Sequence, residues 1–247
     1  SVRQMIWDLG EKESMVIHLT LVPYLAASGE LKTKPTQHSV RQLMESGIRA
    51  DVLVTRTERS LPKDVKEKLA LFCNVKKGHV IESVDAESIY DVPILLHEQK
   101  FDDVVLETLG LSTETQPDLE KWKNFLDRHK NPTNQIEIAL VGKYTSLQDS
   151  YKSISEALTH AGAKADTGVK VRWVYSGDLT PENIDSKLAG VDGILIAPGF
   201  GDRGIEGKVL AANYARRNKI PTFGICLGMQ IMTIEFARNV LGLEDAD

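Results

Sequence analysis

The stretch Pro221-Thr222-Phe223-Gly224-Ile225-Cys226-Leu227-Gly228-Met229-Gln230 decides the reading of this 247-residue chain. An apolar run meets a glycine, a cysteine and a second glycine, then passes into an apolar, helix-like run reaching Val240. The pattern predicts a short strand, a tight turn with Cys226 at its tip, and a helix starting just behind it. That is the logic of a nucleophile elbow. Glycines at 224 and 228 remove side chains that would clash in a strained turn. The helix start turns its free N–H groups and the positive end of its dipole toward the sulfur, which favours the thiolate, the nucleophilic form. A lone cysteine is ordinarily a small core residue; the flanking glycines and the strand-to-helix switch point to chemistry instead.

Gly-Ile-Cys-Leu-Gly-Met-Gln at 224–230 also resembles the nucleophile motif of class I glutamine amidotransferases, which release ammonia from the glutamine side chain. The resemblance implies Cys226 as the catalytic nucleophile and Leu227 N–H as one oxyanion donor, with Gly228, Met229 and Gln230 completing the glutamine-binding turn. A second donor is implied in the loop Ala197-Pro198-Gly199-Phe200-Gly201, which follows the apolar run 193–196. Many relatives carry two adjacent glycines where this chain has Pro198-Gly199. Proline has no N–H, so Gly199 is the donor at that point.

Composition bounds the alternatives. With 42% hydrophobic and 26% charged residues the chain is that of an ordinary soluble protein, long enough for two domains. A net charge of −5 argues against a general nucleic-acid binder. Two cysteines far apart, Cys73 and Cys226, do not suggest a disulfide framework, and a reducing cytoplasm fits them. No apolar run approaches transmembrane length and no signal peptide is read, so no membrane partner is expected. The opening Ser1-Val2-Arg3-Gln4 lacks an initiator methionine, which leads us to expect a fragment or a trimmed chain.

Taken in order, residues 1–10 read as a helix end stopped by Gly10. The run 15–22 reads as a buried strand, with His18 as a core histidine. Next comes Gly29-Glu30-Leu31-Lys32-Thr33-Lys34-Pro35-Thr36-Gln37. Pro35 and Thr36 mark a helix start, Val40, Leu43, Met44 and Ile48 form its apolar stripe, and Gly47 suits its end. Two lysines thus enter a helix N-terminus, a combination of point charges and free N–H groups that suits phosphate; a solvated basic loop is the equally open alternative.

Here a second, closer resemblance enters. Gly29-Glu30 followed by Lys-Thr-Lys-Pro-Thr-Gln at 32–37 is similar to the UTP/CTP-binding segment of the CTP synthase family. The segments 69–75, Ser88-Ile89-Tyr90, 141–144 and 199–201 resemble that family in the same order, so the likeness covers essentially the whole chain. It implies that Lys32, Thr33, Lys34, Pro35, Thr36, Gln37 and Lys68 hold the pyrimidine nucleotide. It further implies that Arg56, Val84, Asp85 and Ala86 lie at the ATP site. Without the family, Arg56 reads as a surface residue and Lys68 as a solvated helix lysine. Lys143, Tyr144, Lys152 and Phe200 match regions linked to GTP and lid functions; Phe200 either stacks on a purine or packs the loop.

Between these motifs, a helix is expected over 62–72 with Val65, Leu69 and Phe72 on one face, a strand at Val80-Ile81, and two short helices between Ser88 and Gly110. Cys73 reads as packing. Residues 111–134 read as an interdomain linker carrying a helix stripe at Leu119, Trp122, Phe125 and Leu126. Strands follow at 136–142, 169–175 and 194–196. Helices are expected at 150–162, from Thr180, and at 206–218. This alternation predicts α/β architecture: two doubly wound, mostly parallel-sheet domains. The first, 1–110, would be part of a synthetase domain, and the second, 135–247, part of a class I glutamine amidotransferase domain. Cys226 and the glycine loop then lie at C-terminal strand ends, where such sheets place their sites.

The resemblance implies a glutamine-hydrolysing ligase that aminates UTP to CTP with ATP and Mg²⁺. GTP would be its activator, CTP its feedback inhibitor, and a homotetramer its active form. No metal ligand is assigned in this stretch. The family's histidine and glutamate partners of the cysteine, and its ATP phosphate loop, are not read here: no histidine follows His160 and no Gly-x-x-x-x-Gly-Lys-Ser/Thr occurs. The chain by itself is therefore expected to catalyse neither reaction. Two other classes are carried alongside: another class I amidotransferase with a different ammonia acceptor, and a non-catalytic regulatory subunit that kept the fold.

Overall fold

The computed structural model describes residues 1–10 and 13–247, which pack as two units, Ser1–Asp118 and Leu119–Asp247.

The first unit runs α1 (Val2–Leu9), β1 (Ile17–Leu21), β2 (Tyr24–Leu25), β3 (Glu30–Leu31), α2 (Lys34–Glu45), β4 (Val52–Thr57), α3 (Lys63–Phe72), β5 (Val80–Val84), α4 (Val92–Glu98) and α5 (Phe101–Thr108). Its sheet is parallel in the order β1-β4-β5, and β2 and β3 form an antiparallel hairpin. β4 is central and reads Val-Leu-Val-Thr because both its faces are covered. On one face Leu53 packs with Val22, Val40, Leu61, Leu69 and Cys73 beneath α2 and α3. On the other, Val52, Val54 and Ile81 meet Leu96, Phe101 and Val104 of α4 and α5. Each such large side chain contributes about 1.5–3 kcal/mol by leaving water.

Two expectations are corrected here. The run 15–22 is apolar throughout, which suggested burial on both faces, yet β1 pairs only with β4 among the described residues. His18 and Thr20 face α2, whereas Ile17, Leu19 and Leu21 are exposed, because α4 and α5 cover β4 and β5 but do not extend over β1. In α3, Phe72 is exposed; the buried stripe runs through Leu69, Ala70 and Cys73, rotated away from the side that includes Phe72. His18 is indeed a packing histidine. Its Nε2 pairs with Ser39 Oγ at 2.9 Å, and burial pushes its pKa down, toward the neutral ring.

The second unit runs α6 (Glu120–Lys130), β6 (Asn134–Gly142), α7 (Lys152–Lys164), β7 (Thr167–Tyr175), α8 (Ile184–Leu188), β8 (Gly193–Ile196), α9 (Ile205–Arg217), β9 (Thr222–Gly224) and α10 (Leu227–Asn239). All its strand pairs are parallel, in the order β7-β6-β8-β9. Val141, Ile194 and Ile196 pack one face against α8, α9 and α10. Leu140, Leu195 and Tyr151 pack the other, with Ile154 of α7. α6 lies on α7, with Phe125 edge-on to His160 at 5.6 Å. Thr180 does not open a helix at once. Its N–H bonds Asn183 Oδ1 at 2.9 Å in a turn, and α8 starts at Ile184.

The order β7-β6-β8-β9 reverses direction between β6 and β8. A doubly wound sheet opens its ligand crevice at that reversal, beyond the carboxyl ends of the strands. Residues 143–144 follow β6 there and the glycine loop 197–201 follows β8.

Candidate active site

Cys226 caps α10 with φ 53° and ψ −111°, a backbone conformation that an L side chain rarely adopts. The turn is held by its own peptide groups. Gly228 N–H donates to the Ile225 carbonyl at 2.8 Å, and Met229 and Gln230 N–H donate to the Cys226 carbonyl at 3.0 and 3.2 Å. Ile225 N–H ties the turn to the Ile196 carbonyl of β8 at 3.1 Å. Leu227 N–H, at the first helical position, is not drawn onto these carbonyls. The two glycines are required by contact. A Cβ on Gly228 would lie 2.0 Å from the Ile196 oxygen, and one on Gly224 would lie 2.5 Å from the Gly228 carbonyl. The result is an exposed sulfur on a fixed turn. Cys73, by contrast, is buried, and burial pushes its thiol up to about 11.

The glycine loop comes to the same place. A Cβ on Gly199 would stand 4.0 Å from Leu227 Cδ2 and 3.7 Å from Lys208 Nζ. Gly199 and Leu227, the two expected oxyanion donors, are thus neighbours across the crevice. Lys143 Nζ donates to the Phe200 carbonyl and, at 3.4 Å, to that of Gly201. Its peptide N–H donates to Tyr151 Oη at 2.9 Å, and that of Tyr144 to the same oxygen at 3.3 Å. Phe200 itself is exposed. Lys152 is turned to Glu156, 2.7 Å away, rather than to the loop.

In the first unit the expected nucleotide residues fall into two groups. Lys34 and Pro35 open α2, with Thr33 as the preceding cap residue. Gln37 Nε2 donates to Thr33 Oγ1 at 3.2 Å. Lys32 pairs with Glu30 on the surface, which holds the Glu30 carboxyl below its usual range. Thr36 is fully buried, and its hydroxyl donates to the Leu21 carbonyl at 2.9 Å; its side chain anchors the helix start and does not face solvent. Lys68 is exposed on α3. In the second group, Arg56 near the end of β4 meets Asp85 just beyond β5, at 2.7 Å. The parallel register places Arg56 beside Ser83, whose carbonyl it also contacts at 3.4 Å.

Two family models match the chain: the CTP synthase N-terminus over residues 1–111 and glutamine amidotransferase class-I over 146–246. Curated CTP synthases align with all of it. Those of Cytophaga hutchinsonii and Flavobacterium psychrophilum are 59% identical over 247 residues, and that of Halalkalibacterium halodurans is 52% identical over 246. Along its whole length the chain is similar to these CTP synthases. It spans about half the length of the curated relatives it matches, 46% of each of these three. A solved structure, the glutaminase domain of Trypanosoma brucei CTPS with bound acivicin, is 40% identical with a TM-score of 0.42, covering 44% of this chain and 43% of that one.

The sequence did not single out Lys208, which lies behind the glycine loop. The side chain is 1% exposed, and its ammonium donates to the Ala197 carbonyl at 2.8 Å. Burial pushes its pKa down, the charge of Lys143 lowers it further, and the nearby Cys226 sulfur acts in the opposite sense. The available signal was a lysine inside the buried stripe of α9, between Gly207 and Val209. Glu235, on α10 behind the cysteine, is 2% exposed and committed to other partners. It accepts from Arg216, Asn213 and Asn239. Burial raises its carboxyl, but these donors and the Arg216 charge outweigh burial and hold it below its usual range.

Proposed function

We propose that the protein carrying this chain is a glutamine-hydrolysing CTP synthase, in which Cys226 attacks the glutamine amide and the released ammonia aminates UTP in an ATP-dependent step. The observation that carries the reading is the Cys226 elbow set against the Gly199 loop, in one chain with a match to the CTP synthase N-terminus. As the sulfur adds to the amide carbon, the carbonyl oxygen gains negative charge. Gly199 and Leu227 N–H are the donors on hand to meet it, and such pre-set donors are a large part of acyl-transfer catalysis.

In this reading residues 1–110 belong to the synthetase and 135–247 to the glutaminase; of the expected linker 111–134, helix α6 packs with the second unit, which leaves 111–118 as the connecting stretch. Lys32, Lys34 and Lys68 supply charge for UTP or inhibitory CTP, with Thr33, Pro35 and Gln37 shaping the helix start and Thr36 bracing it from within. Arg56, Val84, Asp85 and Ala86 border ATP. Lys143, Tyr144 and the exposed Phe200 form the ground for GTP activation. Lys152, which pairs with Glu156, fits that role less well. The active form is a cytoplasmic homotetramer; no helix among the described residues is long and apolar enough to cross a membrane. Mg²⁺ accompanies ATP in this reading. Among the described residues no three His, Cys, Asp or Glu side chains converge to hold a metal.

The test is Cys226→Ala in the intact enzyme. CTP formation from glutamine should vanish while formation from added ammonia persists, because the amination chemistry needs no thiol. Loss of both activities in a folded variant would overturn the division of labour.

A further inference from the structure

A buried lysine with no stated task lies behind the glycine loop. Lys208 is the largest side chain among those fully buried, and α9 carries it into the apolar layer formed by Val209, Ala211 and Ala212. An ammonium in such a place is expensive unless it is paired or used. One acceptor, the Ala197 carbonyl, meets it at 2.8 Å. Beyond that bond, Nζ stands 3.7 Å from the Cβ position of Gly199, the residue expected to donate to the oxyanion. Lys143 holds the same loop from the other end by the carbonyls of Phe200 and Gly201. The loop thus hangs between an inner and an outer ammonium.

We propose that Lys208 is a positioning residue of the glutaminase site: its buried ammonium fixes the Ala197–Gly199 backbone over the Cys226 turn and adds a pre-placed positive charge behind the oxyanion donors. This rests on the glutaminase reading above. A charge in a water-poor site acts at far lower effective dielectric than one on the surface. It needs no reorganisation as the carbonyl oxygen becomes negative. Its benefit is therefore realised in the transition state and not in the binding of neutral glutamine, so it should appear in kcat and not in KM. The charged or titratable groups that face it are Lys143, from the end of β6, and Cys226, from the elbow.

The experiment compares Lys208→Met with unmodified full-length enzyme. Methionine keeps an unbranched chain of similar length without the charge. Removing a direct oxyanion donor typically lowers kcat about 10²–10³-fold. Lys208 stands one layer behind, so kcat for glutamine hydrolysis should fall about tenfold or more, with KM for glutamine little changed. CTP formation from ammonia should be retained. An unchanged kcat in folded Lys208→Met would overturn the proposal. So would a parallel fall in the ammonia-dependent reaction, which marks a structural defect. Should the variant not fold, the unmodified enzyme supplies the second measurement. Neutralising Lys208 should produce an alkaline fall in glutaminase kcat below the ordinary lysine range, and a kcat flat to about pH 10 would overturn the proposal. If the unmodified enzyme hydrolyses no glutamine at all, the glutaminase reading fails at that control; an unaffected variant in an active background sinks only the role of Lys208.

Discussion

Replacing Gly228 with alanine sets two opposing effects against each other. In a helix, alanine is favoured over glycine by about 1 kcal/mol, so the change looks stabilising from the sequence alone. The structure gives the other side. The new methyl would lie 2.0 Å from the Ile196 oxygen, more than an ångström short of ordinary van der Waals contact near 3.4 Å, and 2.8 Å from its carbon. Both atoms belong to the backbone of β8, which is buried and hydrogen-bonded to β6, so they cannot swing aside. The start of α10 must retreat instead. Overpacking of this kind costs about 1–3 kcal/mol, which cancels or exceeds the gain in propensity. Catalysis suffers more than stability, because the retreat carries Leu227 and Cys226 away from Gly199, and a 1 Å misplacement can cost about 10²-fold in rate. Glutaminase kcat/KM of Gly228→Ala should therefore fall about a hundredfold, with a modest loss in thermal midpoint and with ammonia-dependent CTP formation intact. A variant with full glutaminase activity and a raised midpoint would refute the close-contact argument.

The remaining predictions are simpler. Lys32→Ala and Lys34→Ala each remove a charge-assisted contact of about 1.5–3 kcal/mol, so UTP affinity, measured by titration calorimetry, should weaken about tenfold or more while basal glutamine hydrolysis barely changes. Glu235 has a depressed carboxyl pKa, so its contribution to stability is present above the unfolded-state value and is lost as pH falls through the lower folded value. Glu235→Gln should lower stability at neutral pH by about 1–3 kcal/mol and flatten the acid limb of the midpoint-versus-pH curve; an unchanged limb would place the acid sensitivity elsewhere. Alkylation at pH 7.5 followed by peptide mass mapping should label exposed Cys226 in native protein and reach Cys73, with its thiol at about 11, only after unfolding.

How legible each part was depended on whether its cause is local. The elbow could be read because its constraint is steric and acts within five residues: glycines at 224 and 228 are the visible trace of two backbone collisions. The strand–helix alternation carried the doubly wound plan for the same reason. The exposure of Ile17, Leu19 and Leu21 was not legible, since an apolar run says that a strand wants cover but not how far α4 and α5 extend. Phe72 misled because a stripe drawn through the largest apolar side chains ignored Ala70 and Cys73, which set the buried face of α3. The Arg56–Asp85 contact depends on the register between β4 and β5, which no single strand encodes. Lys208 was passed over because a lysine in a helix reads as solvent-facing until the tertiary fold encloses it.

The backbone torsion at Cys226 has a bearing on control. A nucleophile whose backbone is held at φ 53° by glycine-to-backbone contacts is set before any ligand arrives, with only its short χ1 torsion left to turn. Switching such a site on or off has to work through its other half. There the exposed Phe200 and Gly201 hang by their carbonyls from one lysine, a long side chain with several rotatable bonds. The molecule therefore divides constraint and adjustability between two neighbouring strand ends: β9 delivers a cysteine on a fixed backbone, and β8 delivers a loop whose position can be set by whatever engages its outer face.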